Sequence, residues 1–168
     1  MASGRTHDII NLSVFPVAVY YLKPESFSGF FFGYMVGTFF LSPDNDLFHS
    51  KPNKRWKALR FIWLPYTKLF SHRGISHIPF LGMITKLLYI SAVVFIAFLL
   101  FYLAFFLAGI NIHFSDKVSV EEFKRFFFSP FSVSTFIGLF LSEIVHIITD
   151  VIYSALKRFP LTRKLFLR

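Results

Sequence analysis

The sequence predicts an all-α protein: a polytopic membrane helix bundle of about four spans, with one short interfacial helix. Three observations carry this expectation. The first is apolar excess: 55% of the 168 residues are hydrophobic and phenylalanine alone occurs 26 times. One soluble core of this size has too little interior for so much apolar surface, which implies lipid as the solvent. The second is the run Leu87–Ile112, which has no charged residue. As a helix it would extend roughly 39 Å at about 1.5 Å per residue, enough to cross the hydrocarbon core with tilt. The third is the distribution of the cations behind the net charge of +9. With four spans, Arg5, the group from Lys51 to Arg73 and the group from Lys157 to Arg168 share one face. Lys23, Lys117, Lys124 and Arg125 fall on the other, and Lys86 lies just inside a span. Lys and Arg gather on the cytoplasmic side, so both termini are expected there.

Taken in order, Ile9–Leu22 is the weakest span, being short and interrupted by Pro16. Phe27–Pro43 and Phe126–Ser142 are uncharged and sit near the lower limit of length for a crossing. Between the second and third spans, Arg55–Phe70 mixes basic residues with Trp56, Phe61, Trp63, Tyr66 and Phe70. That mixture suits a helix lying in the headgroup layer and broken near Pro65. On the opposite side, Ser119 and Glu122 form a capping box ahead of an apolar stripe of Val120, Phe123 and Phe127. Residues 1–168 form a single integral membrane domain, with no internal repeat and no low-complexity linker. The N-terminus, with Arg5, His7 and Asp8 ahead of the first apolar run, does not read as a signal peptide and is expected to be retained.

Cysteine is absent, which excludes disulfides and thiolate metal sites. A basic chain can bind nucleic acid, but here the charge is expected to face anionic lipid headgroups, and no nucleic acid is expected. The polar residues are few and placed where a membrane makes them costly. Asp44 and Asp46 follow an apolar run directly, His72 and His77 flank Arg73 and Gly74, and His146 and Asp150 are one turn apart in LFLSEIVHIITDVIY. Each has a plain structural alternative. Asp44-Asn45-Asp46 can be a helix end, the histidines interfacial residues, and His146 with Asp150 a buried hydrogen-bonded pair. His7-Asp8 can cap a helix, and Glu143 can join the network or face a basic neighbour. The topology favours more. His7, Asp44, Asp46, His72, His77, His146 and Asp150 come from four segments and converge on one leaflet. Imidazole and carboxylate without thiolate suit a divalent transition metal: one or two Zn²⁺, with Mn²⁺, Fe²⁺ or Ni²⁺ also compatible. Two ions bridged by a carboxylate would sit about 3.5–4 Å apart. Arg73 would bind a substrate phosphate or carboxylate, or a lipid phosphate, or pair with an aspartate.

The stretches SGRTHDIIN, GTFFLSPDNDLFHSKP, RWKALRFIWLPYTKLFSHRGISHIPFLG and HIITD resemble a bacterial family of uncharacterised membrane proteins named for metal binding. That family is similar to the group of inner-membrane metal-dependent hydrolases. The shared order is T-H, P-D-x-D, H-R-G-x-[ST]-H and H-x-x-x-D, here Thr6-His7, Pro43 to Asp46, His72 to His77, and His146 with Asp150. The resemblance implies a metal-ligand role for the seven matched residues and a multi-pass inner (cytoplasmic) membrane location. It implies no substrate.

Two functions compete. The first is a membrane-embedded dinuclear hydrolase of a membrane-associated (phospho)ester, with Arg73 stabilising charge and Asp8 or Glu143 as general base. The second is a non-catalytic protein whose His/Asp site is structural or sensing. A transporter is disfavoured because no polar residue lines a path through Leu87–Ile112. A histidine-nucleophile lipid phosphatase is rejected because Phe140 stands where that family needs arginine.

Overall fold

The computed structural model describes residues 2–70, 74–110 and 119–158. These residues form seven α-helices and contain no strand. Helix α1 (Gly4–Leu22) starts at Ser3, whose hydroxyl accepts from the Thr6 amide at 3.2 Å. It ends on Lys23 in the left-handed conformation, φ 44°. Helix α2 (Phe27–Phe39) is capped in the same way by Ser26. A 3₁₀ turn (Pro43–Asp46), α3 (Lys51–Arg55), a second 3₁₀ turn (Lys57–Trp63) and α4 (Leu64–Leu69) follow. A third 3₁₀ turn, Ile75–His77, leads into the long helix α5 (Leu81–Leu107). Helix α6 (Val120–Phe127) carries the expected capping box, and α7 (Pro130–Arg158) closes the described chain.

The tightest packing is α2 against α7. Gly29, Gly33 and Gly37 recur every fourth residue and line one face of α2. A methyl group at Gly29 or Gly33 would collide with the backbone of Phe131 or Thr135, and one at Gly37 with the Ser142 hydroxyl. Gly138 meets the Phe30 and Tyr34 backbone from the other side. Small residues at this spacing let helix backbones touch, a mode common between membrane helices. Two buried clusters flank this axis. Ala18, Phe30 and Tyr34 join α1 to α2, while Trp63 and Tyr66 join Leu41, Met83 and Leu139.

Arg55–Phe70 is not one continuous helix. Lys57 takes φ 51°, which breaks the path after α3, and Pro65 starts α4. Trp63 and Tyr66 are fully buried, so this segment caps the core with its inner side and exposes Lys57, Leu59, Phe61 and Lys68 on its outer side. The stripe of α6 is likewise exposed, at Val120, Phe123 and Phe127.

Among the described residues, two helices are long and apolar enough to cross a membrane, Leu81–Leu107 and Pro130–Arg158. The most apolar stretch of α5 has no residue buried within the protein. Helix α2, at 13 residues, extends only about 20 Å at about 1.5 Å per residue, short of a full crossing.

Candidate metal centre

Helix α2 ends where its last carbonyls are taken by side chains from downstream. Asn45 Nδ2 and Trp56 Nε1 both donate to the Phe40 carbonyl, and Arg55 donates to that of Phe39. Buried Asn53 then donates to the Asn45 and Leu47 carbonyls. These bonds hold the turn Pro43–Asp46 rigidly against the bundle, with all four of its residues buried. Asp44 and Asp46 point from that turn toward α7 and toward the turn Ile75–His77.

Four groups converge there. Asp44, His77, His146 and Asp150 each bring one ligand-type atom within 4.8 Å of the others. His146 Nε2 lies 3.5 Å from Asp44 Oδ1 and 4.0 Å from Asp150 Oδ2, and His77 Nε2 lies 3.8 Å from Asp44 Oδ1. Most of these spacings are too long for hydrogen bonds. They resemble the separations of donors sharing one ion at about 2.1 Å, roughly 3.0–3.5 Å for adjacent donors and about 4.2 Å for opposite ones. Asp44 Oδ1 and His146 Nε2 are buried and have no hydrogen-bond partner among the described residues. Buried polar atoms are almost always paired, so an unpaired carboxylate oxygen facing an unpaired imidazole nitrogen fits a cation between them.

The outward sides of both imidazoles are held. His77 Nδ1 lies 3.4 Å from Asp46 Oδ2, and Ser76 Oγ donates to that same oxygen at 2.6 Å. His146 Nδ1 lies 3.3 Å from Ser42 Oγ. Each ring thus presents Nε2 to the centre and is oriented by an oxygen behind it, the usual support for a metal-ligating histidine. Burial alone would raise the Asp44 carboxyl. The neighbouring His146, with His7 contributing, outweighs it and holds the group below its ordinary value.

His7 and Asp46 border this cluster. His7 Nε2 is 3.3 Å from Asp150 Oδ1, an oxygen that also accepts from the Ala2 amide at 3.1 Å. Asp46 stands behind His77. His72 and Arg73 lie outside the described residues. Asp8 is ion-paired with Lys51 and, at 2.6 Å, with Arg55, which ties α1 to α3. Glu143 faces a basic neighbour: it pairs with Lys86 of α5, and both side chains are buried. Ser42, Ser76, Asn53 and Lys86 were not singled out from sequence. The serine before Pro43-Asp44 and the serine before His77 were the available signals for two of them.

A cavity of about 420 Å³ opens beside the centre, with His77 and Asp150 on its wall.

The family model described as "Uncharacterized metal-binding protein (DUF2227)" matches residues 2–160. An "Uncharacterized protein" of Aquifex aeolicus (strain VF5) is 40% identical over 135 residues, which cover 76% of this chain and 91% of that protein. No solved structure matches.

Proposed function

Because the chain belongs to the DUF2227 family of uncharacterized metal-binding proteins, we propose that it is an inner-membrane metalloprotein that hydrolyses a membrane-associated phosphoester. The observation that carries this is the convergence of two His and two Asp donors within 4.8 Å beside an open cavity, with Asp44 Oδ1 facing His146 Nε2 in its interior. In this reading α5 and α7 cross the bilayer. Helices α1 and α2 form a shorter hairpin inserted from the same face, and both termini are cytoplasmic. The bare apolar surface of α5 supports a lipid environment, because a water-exposed helix of that composition would aggregate.

Asp44, His77, His146 and Asp150 would hold the ion. Two carboxylates and two neutral imidazoles suit Zn²⁺, and Mn²⁺ and Fe²⁺ fit the same donors. A bound divalent ion supplies Lewis-acid polarisation of a phosphoryl oxygen and activation of water. The chain supplies the rest. Asp46 and Ser42 fix the imidazole orientations, and the two ligand carboxylates offset the ion's charge. Glu143, about one turn before His146 in α7, is the candidate to accept a proton, with its charge balanced by Lys86. A second ion would draw on His7, whose Nε2 faces Asp150.

One observation favours a structural role instead. The four donors come from two separate turns and from α7, so an ion there would also staple those elements. Elemental analysis and assay of the detergent-purified protein separate the two functions. Bound metal, lost in Asp44→Ala together with phosphoester hydrolysis, is expected. Metal whose removal unfolds the protein, with no hydrolysis of short-chain phospholipids or aryl phosphates, would establish the staple. A folded protein with no bound metal would overturn both.

A further inference from the structure

The cavity beside the centre has a polarity that the donor cluster does not explain. His77 and Asp150 stand at one end and Arg158 at the other. Between them run Ile147, Val151 and Ala155, one apolar stripe at every fourth residue of α7, with the Ser154 hydroxyl alongside. Along the helix axis Arg158 is about 12 Å beyond Asp150 at about 1.5 Å per residue. Arg158 lines the same cavity as the donors His77 and Asp150.

We infer that this cavity binds a glycerophospholipid whose headgroup carries an anionic group beyond its phosphodiester, and that Arg158 selects that group. The inference rests on the membrane placement proposed above, and three features of the cavity carry it. The first is depth. The uncharged part of α7 precedes the donors and Lys157-Arg158 follow them. With α7 across the bilayer, the donors lie at the level of the lipid phosphate and Arg158 at the level of the headgroup tip. The second is charge. Asp44 and Asp150 offset a divalent ion, and Asp46 is engaged by Ser76 and His77. Among the described residues Arg158 is the cation lining the cavity, and no carboxylate pairs with it. A guanidinium in that position favours carboxylate or phosphate over a choline-type cation. The third is size. About 420 Å³ accommodates a headgroup and glycerol, while the acyl chains remain in the bilayer beside the apolar stripe.

The test is calorimetric binding of two monomeric short-chain lipids, dihexanoyl-phosphatidylserine and dihexanoyl-phosphatidylcholine, to the zinc-loaded full chain in nonionic detergent. The serine lipid is expected to bind about fivefold to tenfold more tightly, as one partly exposed charge-assisted contact allows. Arg158→Gln should bring the ratio to about one. Val151→Trp, which fills the cavity, should remove both affinities while zinc content by plasma mass spectrometry stays unchanged. Equal affinities for the two lipids, or a ratio unmoved by Arg158→Gln, would overturn the assignment. So would chain-free glycerophosphoserine binding as tightly as the lipid, which would make the ligand a free anion. Selective binding without turnover leaves this inference standing and removes the hydrolase. Turnover of phosphoesters without headgroup preference does the reverse.

Discussion

His7 and His146 stack face to face, with ring centroids 3.7 Å apart and planes 11° from parallel. Both side chains are almost fully buried. The stack docks the start of α1 on α7. Replacing His7 by Phe keeps a flat ring against His146 and removes the nitrogen facing Asp150. The unfolding temperature of the metal-free variant should stay within a few degrees of wild type. Metal affinity, measured by chelator competition, should fall by about 10–100-fold, as for other outer partners of a metal site. Unchanged affinity would reduce His7 to packing.

Asp46 gives a sharper test of ligand against support. It touches the rear nitrogen of His77 and accepts from Ser76, while Asp44 faces the centre. Asp44→Ala and His146→Ala should each lose the metal outright. Ser76→Ala and Asp46→Asn should retain it with affinity reduced by about 10–100-fold. Plasma mass spectrometry at graded chelator concentrations reads both. Complete loss in Asp46→Asn would make Asp46 a ligand.

The packing of α2 on α7 should be intolerant of bulk. Gly33 lies against the Thr135 backbone, which cannot move aside as a side chain can. Gly33→Leu should cost at least the roughly 1–3 kcal/mol of an overpacked core, with most of the protein lost from the detergent-soluble fraction. Phe32→Leu, on the exposed side of α2, provides the contrast. Size-exclusion profiles of the two variants report the difference. A well-folded Gly33→Leu would contradict the close approach.

Much of the candidate site was legible because polar residues are conspicuous in apolar runs. Asp44, His146 and Asp150 interrupt apolar runs, so hydrophobicity alone singled them out, and the fold brings them within 4.8 Å of one another. The division of labour between Asp44 and Asp46 was not legible. It depends on how two residues of a 3₁₀ turn project, and no periodicity encodes that. The glycine repeat of α2 was present in GFFFGYMVG, but a length-and-charge reading treats those glycines as neutral filler. Arg55–Phe70 reads as an interfacial helix broken near Pro65 because basic and aromatic residues mix on both sides of that proline. Burial of Trp63 and Tyr66 under Met83 and Leu139 is a tertiary contact that the segment itself does not announce.

Lys86 and Glu143 pair between α5 and α7, both buried. Such a pair gains little over an apolar contact, yet losing one partner strands a charge in low dielectric. Lys86→Met and Glu143→Leu should each destabilise the protein by about 3–5 kcal/mol, read from denaturant unfolding in detergent micelles. The double variant should recover most of that loss, since it replaces both charges by apolar groups of similar size. This recovery also isolates the chemistry. Glu143 is the candidate proton acceptor, and a single Glu143 variant confounds lost catalysis with lost fold. If Glu143 accepts the proton, the double variant is folded and metal-loaded but inactive, with turnover reduced by about 10²–10⁴-fold. If the double variant keeps wild-type turnover, the pair serves only to fasten α5 to α7.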